Sequence, residues 1–181
     1  MKRNILIRMT AVILIIGMFI LTGCEKNGNG NQGTSADAVA TVDGVKIKLD
    51  KERTLGNMKF KYPEIAKFQA EEENHLSMKI YSENDEKVLA SVVLTVRAGK
   101  NVEEYIKTMR NVEASELQTE TINGIKWYVY DYSAGDSIAK VHYGQNGQDT
   151  YVVSFPQEGE ARNTDITDFK NTFMNRISFV K

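Results

Sequence analysis

The chain has one cysteine in 181 residues, Cys24, and it sits between an uncharged apolar run and a tract of glycine and asparagine. This arrangement restricts both fold and location. The chain opens with Lys2 and Arg3, carries Arg8, and then runs "MTAVILIIGMFILTG" without a charge, the basic and apolar regions of a secretory signal. About 15 residues at about 1.5 Å each give roughly 22 Å of helix, short of a hydrocarbon core of about 30 Å. A cleaved signal over residues 1–23 therefore fits better than a permanent span. With no second cysteine, the exported part has no internal disulfide, no further thiol and no cysteine metal site, so its core must hold it.

Leu21, Thr22, Gly23 and Cys24 resemble the lipobox of bacterial lipoproteins. The resemblance implies cleavage before Cys24 and acyl chains on its thiol and new amino terminus. At about 0.8 kcal/mol per buried methylene, two chains anchor where one does not. The alternatives for the same residues are a secreted chain without lipid and an uncleaved helix. Residues 24–38 continue as "CEKNGNGNQGTSADA", too poor in apolar side chains to fold alone, and read as a tether. Its "GNGNQG" lacks the Gly-Lys-Ser/Thr ending of a phosphate loop. The expected location is the extracytoplasmic face of a bacterial cell membrane, with the lipid bilayer as the partner of Cys24.

Residues 39–181 are one domain by length. Cleavage removes Lys2, Arg3 and Arg8, leaving 20 basic against 24 acidic residues, a net of −4 that disfavours nucleic acid as a partner. Charge is uneven along the domain. Seven bases against Asp50, Glu52 and Glu64 make Lys46–Lys67 +4 and leave −8 elsewhere. Lys46, Lys48, Lys59 and Lys61 are thus candidates for resting on anionic lipid or wall polymer, or else they guard exposed strand edges.

Periodicity and turn residues predict an α+β fold. "TVDGVKIKL" places Asp43-Gly44 between alternating residues, a hairpin or one bent strand, and "MKFKY" alternates again. Pro63 with Ile65 and Phe68 suggests a short early helix. "HLSMKIY" and "KVLASVVLTVR" read as paired strands, the second apolar on both faces and so central. Asn101 and Glu104 form a capping-box pattern before the stripe Val102, Tyr105, Ile106 and Met109, giving a middle helix. A four-strand meander follows, opened by the Asn123-Gly124 hairpin signal, and a C-terminal helix from Asp165 to Ile177 with Asn163 and Thr164 as caps closes the chain. The expected architecture is an α/β/α sandwich around a mainly antiparallel, twisted sheet.

Pairing Tyr132 with Ile138 and Tyr143 with Tyr151 puts Ile125, Trp127, Val129, Val141, Tyr143, Tyr151, Val153 and Phe155 on one face, the core. It puts Tyr128, Tyr130, Tyr132, Lys140 and His142 on the other. These five form the candidate binding face, since aromatic rings with polar tips suit protein surfaces and sugars. The alternative is that a helix covers the same face.

"FKYP", the strand pair, "VEEYIKTM", "INGIKWYVYDY" and "FKNTFMNRI" resemble the PsbP-like proteins over about Lys59–Lys181, a family that includes bacterial DcrB-type lipoproteins. The resemblance implies an α/β/α sandwich and a role in binding or assembly, and it carries over no catalytic residue. The residues themselves agree. His75 and His142 are not at metal-ligand spacing, no Gly-x-Ser-x-Gly elbow occurs, and "SENDE" lacks the glycine and distal glutamate of a calcium loop. No metal site and no cofactor other than the acyl chains is expected. The leading expectation is a non-enzymatic, membrane-tethered module that binds a protein partner. The second is a small-ligand or lipid-binding lipoprotein with a pocket between sheet and helix, and a hydrolase centred on His142 comes third.

Overall fold

Alternation of buried and exposed residues builds almost the whole domain. The computed structural model describes residues 38–84, 87–108 and 117–180, all of them within one unit, Asp37–Lys181. Cys24, the signal and residues 25–37 of the expected tether lie outside the described residues, as does the expected middle helix from Met109 onward, while Ala38, assigned to the tether, is already part of the first strand. Among the described residues, no helix is long and apolar enough to cross a membrane.

Strands β1 (Ala38–Val42), β2 (Val45–Leu55) and β3 (Met58–Pro63) form a meander, and β11 (Ser178–Phe179) adds to β3. Asp43 and Gly44, at φ of 48° and 78°, make the first connection a two-residue hairpin rather than a bent strand. The second sheet is larger. It takes the order β4-β5-β6-β10-β9-β8-β7, from β4 (Ala66–Glu72), β5 (His75–Tyr81), β6 (Val88–Arg97), β7 (Gln118–Ile122), β8 (Ile125–Ala134), β9 (Ser137–Asn146) and β10 (Asp149–Glu158). Each described strand pair is antiparallel. As the two-sided apolar sequence of β6 predicted, that strand is central, between β5 and β10.

Helix α1 (Val102–Thr108) begins at Asn101, whose Oδ1 accepts the backbone N–H groups of Glu103 at 2.9 Å and Glu104 at 3.4 Å. Helix α2 (Thr167–Met174) is shorter than predicted, and Asp165, rather than Asn163 or Thr164, accepts its Thr167 N–H at 2.9 Å. That bond also holds the Asp165 carboxyl below its usual range. Thr164 instead ends a 3-10 turn, Gly159–Asn163.

One core lies between the buried faces of the two sheets and is closed by α2, with Phe60, Phe155, Phe169 and Phe173 in tilted and edge-to-face contact at centroid distances of 5.7 to 6.4 Å. Burying each such ring is worth about 1.5 to 3 kcal/mol. Tyr151 links the sheets, accepting the Asn57 N–H at 3.1 Å. A second, smaller cluster joins α1 to the opposite face of the large sheet through Val102, Ile106 and Tyr143. The layers are therefore α1, the large sheet, the core, and the small sheet with α2.

The three-helix sandwich needs correction at its start. Residues 66–72 are strand β4, not a helix, and Ile65 lies exposed in the turn before it. Proline tolerates a helix start without requiring one, and Ala66, Phe68 and Ala70 also alternate, so pairing with β5 decides. Phe68 then packs edge-on to Tyr62 at 5.3 Å, with the Arg53 guanidinium 4.9 Å above it.

Candidate functional site

The register of β9 decides which side chains meet. Two-residue turns at Gly135-Asp136 and Gly147-Gln148 pair Tyr132 with Ala139 and Tyr151 with Gly144, one residue away from the expected pairing on both sides. A one-residue slip turns every side chain of a strand over. His142 and Lys140 therefore leave the tyrosine face, and Val141 and Tyr143 join it. The missed signal is glycine at the first turn position, since a two-residue loop fixes the pairing on either side.

On the outer face of the large sheet, Tyr128, Tyr130, Val141, Tyr143 and Val152 pack against α1. Tyr128 donates its hydroxyl hydrogen to Glu103 Oε1 at 2.8 Å and accepts from Lys126 Nζ at 3.1 Å, with the ammonium 4.6 Å from its ring. Tyr143 is buried here beside Tyr105 and Tyr130, and burial pushes its hydroxyl up to about 12. The helix covers only part of this face. Tyr132, at the far end of β8, is 37% exposed. Sequence periodicity did not single out Glu103, Lys126 or Tyr143 for this face, because only the fold brings the first turn of α1 over β8.

On the core side, His142 is fully buried between Trp127 and Phe155, each ring set edge-on at 6.3 and 5.8 Å. Its Nε2 lies 3.0 Å from Glu120 Oε1 of β7, yet neither ring nitrogen has an aligned hydrogen bond. Burial first, and then the ammoniums of Lys170 on α2 and Lys140, lower its pKa to about 4. The Val153 backbone and Asp131 oppose them more weakly. Lys140 pairs with Asp131 at 2.7 Å, at the solvent rim of the same face. Lys170 is itself lowered by burial and by Lys140, with Glu120, Asp131 and Asp165 acting the other way. At neutral pH the imidazole is an uncharged ring packed into the core, shielded from solvent.

Between α1, β8 and β11 runs a half-open groove of about 440 Å³, whose walls include Val102, Ile125, Tyr128 and Phe179. Gln145 anchors one wall, its Oε1 accepting from Asn101 Nδ2 at 3.3 Å and Val102 N at 3.1 Å. Among the described residues, no group of three His, Cys, Asp or Glu is placed to hold a metal ion.

The four lysines of the basic segment all alternate with core residues of the small sheet: Lys46 and Lys48 with Ile47 and Leu49, Lys59 and Lys61 with Met58 and Phe60. They face outward together. Lys59 is paired with Ser178 of β11, whereas β2 pairs with β3 only over Leu49–Leu55, so the stretch with Lys46 and Lys48 has β1 on one side alone. The β1 edge is served instead by Asp168 of α2, whose carboxylate accepts the Thr41 N–H at 2.7 Å.

Neither family models nor curated protein sequences give a match to the chain. Among solved structures, a Bacteroides thetaiotaomicron protein is similar in fold, with a TM-score of 0.51 at 10% identity over 69% of this chain. The chain spans about half of that protein, 46%. A cyanobacterial PsbP (CyanoP) from Synechocystis gives a TM-score of 0.49 at 12% identity, covering 84% of this chain and 99% of that one. At such identities the Bacteroides likeness is one of fold alone.

Proposed function

We propose that the chain is a lipoprotein anchored through Cys24, and that its folded unit is a non-enzymatic module that binds or assembles with another protein on the extracytoplasmic face of the membrane. The carrying observation is the outer face of the large sheet. Tyr128, Tyr130 and Tyr132 project from one strand, α1 covers the near end, and the far end is left to solvent at Tyr132. Rigid aromatic side chains with polar tips lose little entropy on binding, and they dominate protein contact surfaces. The PsbP-like resemblance in sequence points the same way, toward binding rather than turnover.

The test is crosslinking from the membrane-bound full chain, with a photoreactive side chain at Tyr132 and, as comparison, at Asp136 in the neighbouring turn. One discrete adduct from position 132, competed by unlabelled protein and lost in Tyr130→Ala, supports the reading. Adducts equal at both positions refute it.

The groove beside Tyr128 favours a second reading, a small amphipathic ligand held between helix and sheet. Native mass spectrometry of the purified chain decides it, since a retained ligand displaced by Ile125→Trp supports this reading and bare protein counts against it.

A further inference from the structure

Lys46, Lys48, Lys59 and Lys61 are 15 residues apart at their extremes in sequence, yet folding gathers all four on one outward face of the small sheet. Across the strands, Lys48 stands opposite Val39 and Lys46 opposite Thr41. On the second pair of strands, Lys59 stands opposite Thr54 and Lys61 opposite Glu52. Glu52 lies 2.8 Å from Lys59 and the half-buried Asp50 lies 3.9 Å from Lys48. The segment Lys46–Lys67 that supplies all four lysines carries +4, while the chain outside it and after the signal carries −8. Such a charge distribution has a direction. In front of a negative surface it turns the small sheet toward the surface and the remainder away.

Two further observations select the surface. Val39 is 51% exposed among the lysines, and Val180, next after β11, is 50% exposed, so the face offers short apolar side chains of the depth that headgroups accept. The chain enters the small sheet at Ala38, 14 residues after Cys24. A random coil of 14 residues spans about 20 Å on average, so an anchor at Cys24 would keep the entry strand close to the bilayer that holds it.

We infer that the outer face of the small sheet is a docking surface for anionic phospholipid headgroups, which lays the domain on the membrane in one orientation. The inference rests on Cys24 as a lipid anchor, and it adds a second contact that the anchor alone does not supply. Each lysine that reaches the charged surface shifts the docked population about fivefold. The attraction is to be lost when salt shrinks the Debye length from about 10 Å toward 3 Å.

The full lipidated chain is reconstituted on vesicles of phosphatidylcholine alone and of phosphatidylcholine mixed with phosphatidylglycerol. A fluorophore is placed at Thr41→Cys on the lysine face or at Asp136→Cys in the β8–β9 turn, and quenching by a headgroup-labelled lipid is read. The expected result is at least about a fivefold excess of quenching at position 41 over 136 on the charged vesicles, abolished by high salt. It is also abolished by Lys46→Gln, Lys48→Gln, Lys59→Gln and Lys61→Gln combined. Equal quenching at both positions on the charged vesicles, or an excess that salt does not touch, overturns the inference. Flotation with neutral vesicles reports the anchor separately. Flotation only with charged vesicles refutes the anchor and keeps the face, and flotation with neither refutes both. The salt dependence of the unsubstituted lysine face makes the test independent of whether the fourfold variant folds.

Discussion

Acidification is expected to destabilise this fold through His142. In the folded chain the ring is buried between Trp127 and Phe155, and its pKa lies near 4 against 6.5 in an unfolded chain. The folded state therefore binds fewer protons than the unfolded state, so stability falls as pH drops through 6.5 and the loss levels off below the folded value. Between pH 7 and 5 the loss is about 2 kcal/mol, approaching about 3 kcal/mol below pH 4, because each tenfold fall in the ring's proton affinity is worth about 1.4 kcal/mol. Burial sets the sign, and the groups around the ring modify it. Lys170 and Lys140 oppose the imidazolium, whereas Asp131 favours it from the solvent rim, where water screens it. Glu120 is the nearest carboxylate, but it is 45% exposed and not aligned with the ring. Urea denaturation at pH 7 and 5 measures the loss, with His142→Gln as the variant that should flatten the difference whatever its absolute stability. The titration of the ring by NMR provides a second reading on the native chain. A folded-state midpoint near 6.5, or an undiminished pH dependence in His142→Gln, would refute the assignment of the loss to this ring.

Three other perturbations test the packing. Gly144 stands opposite Trp127, and a Cβ there would meet the indole at 2.7 and 2.8 Å, so Gly144→Ala should cost about 1 to 3 kcal/mol in urea denaturation and regain part of it when Trp127 is shortened to Phe. Asn101→Ala removes the acceptor for Glu103 N and Glu104 N and should cost about 1 kcal/mol, with faster amide exchange confined to α1 and its contacts. Phe173→Ala opens a hole among Phe60, Phe155 and Phe169 and should cost about 3 to 5 kcal/mol; a smaller loss would mean that α2 is not part of the core.

Most of the strands were readable because each alternates over its own length, and the Asp43-Gly44 and Asn123-Gly124 turns announced two hairpins. What could not be read was the count across a turn. "DYSAGDSIAKV" alternates equally well with a two- or a three-residue loop, so local pattern left β9 free to slip by one. That slip moved His142 from a candidate surface to the core and brought Tyr143 to the tyrosine side. Pro63 misled for a related reason, since Ile65 and Phe68 satisfy a helical stripe while Ala66, Phe68 and Ala70 satisfy a strand, and only the partner β5 separates the two. The lysines lay in plain view in sequence. Only the fold brings them together, because alternation on β2 and β3 sets all four outward from the same sheet.

The two candidate surfaces also constrain one another. The lysines face outward from the small sheet and the tyrosines outward from the large sheet, and the larger core lies between those sheets. A bilayer under the lysines thus leaves Tyr130 and Tyr132 on the far side of the domain, turned toward whatever lies beyond the membrane. Lysine substitution should then leave partner crosslinking at Tyr132 intact in detergent and alter it only on vesicles, where orientation matters. Loss of the adduct in detergent as well would mean that both faces contact the same partner, and that the lysines meet protein rather than lipid.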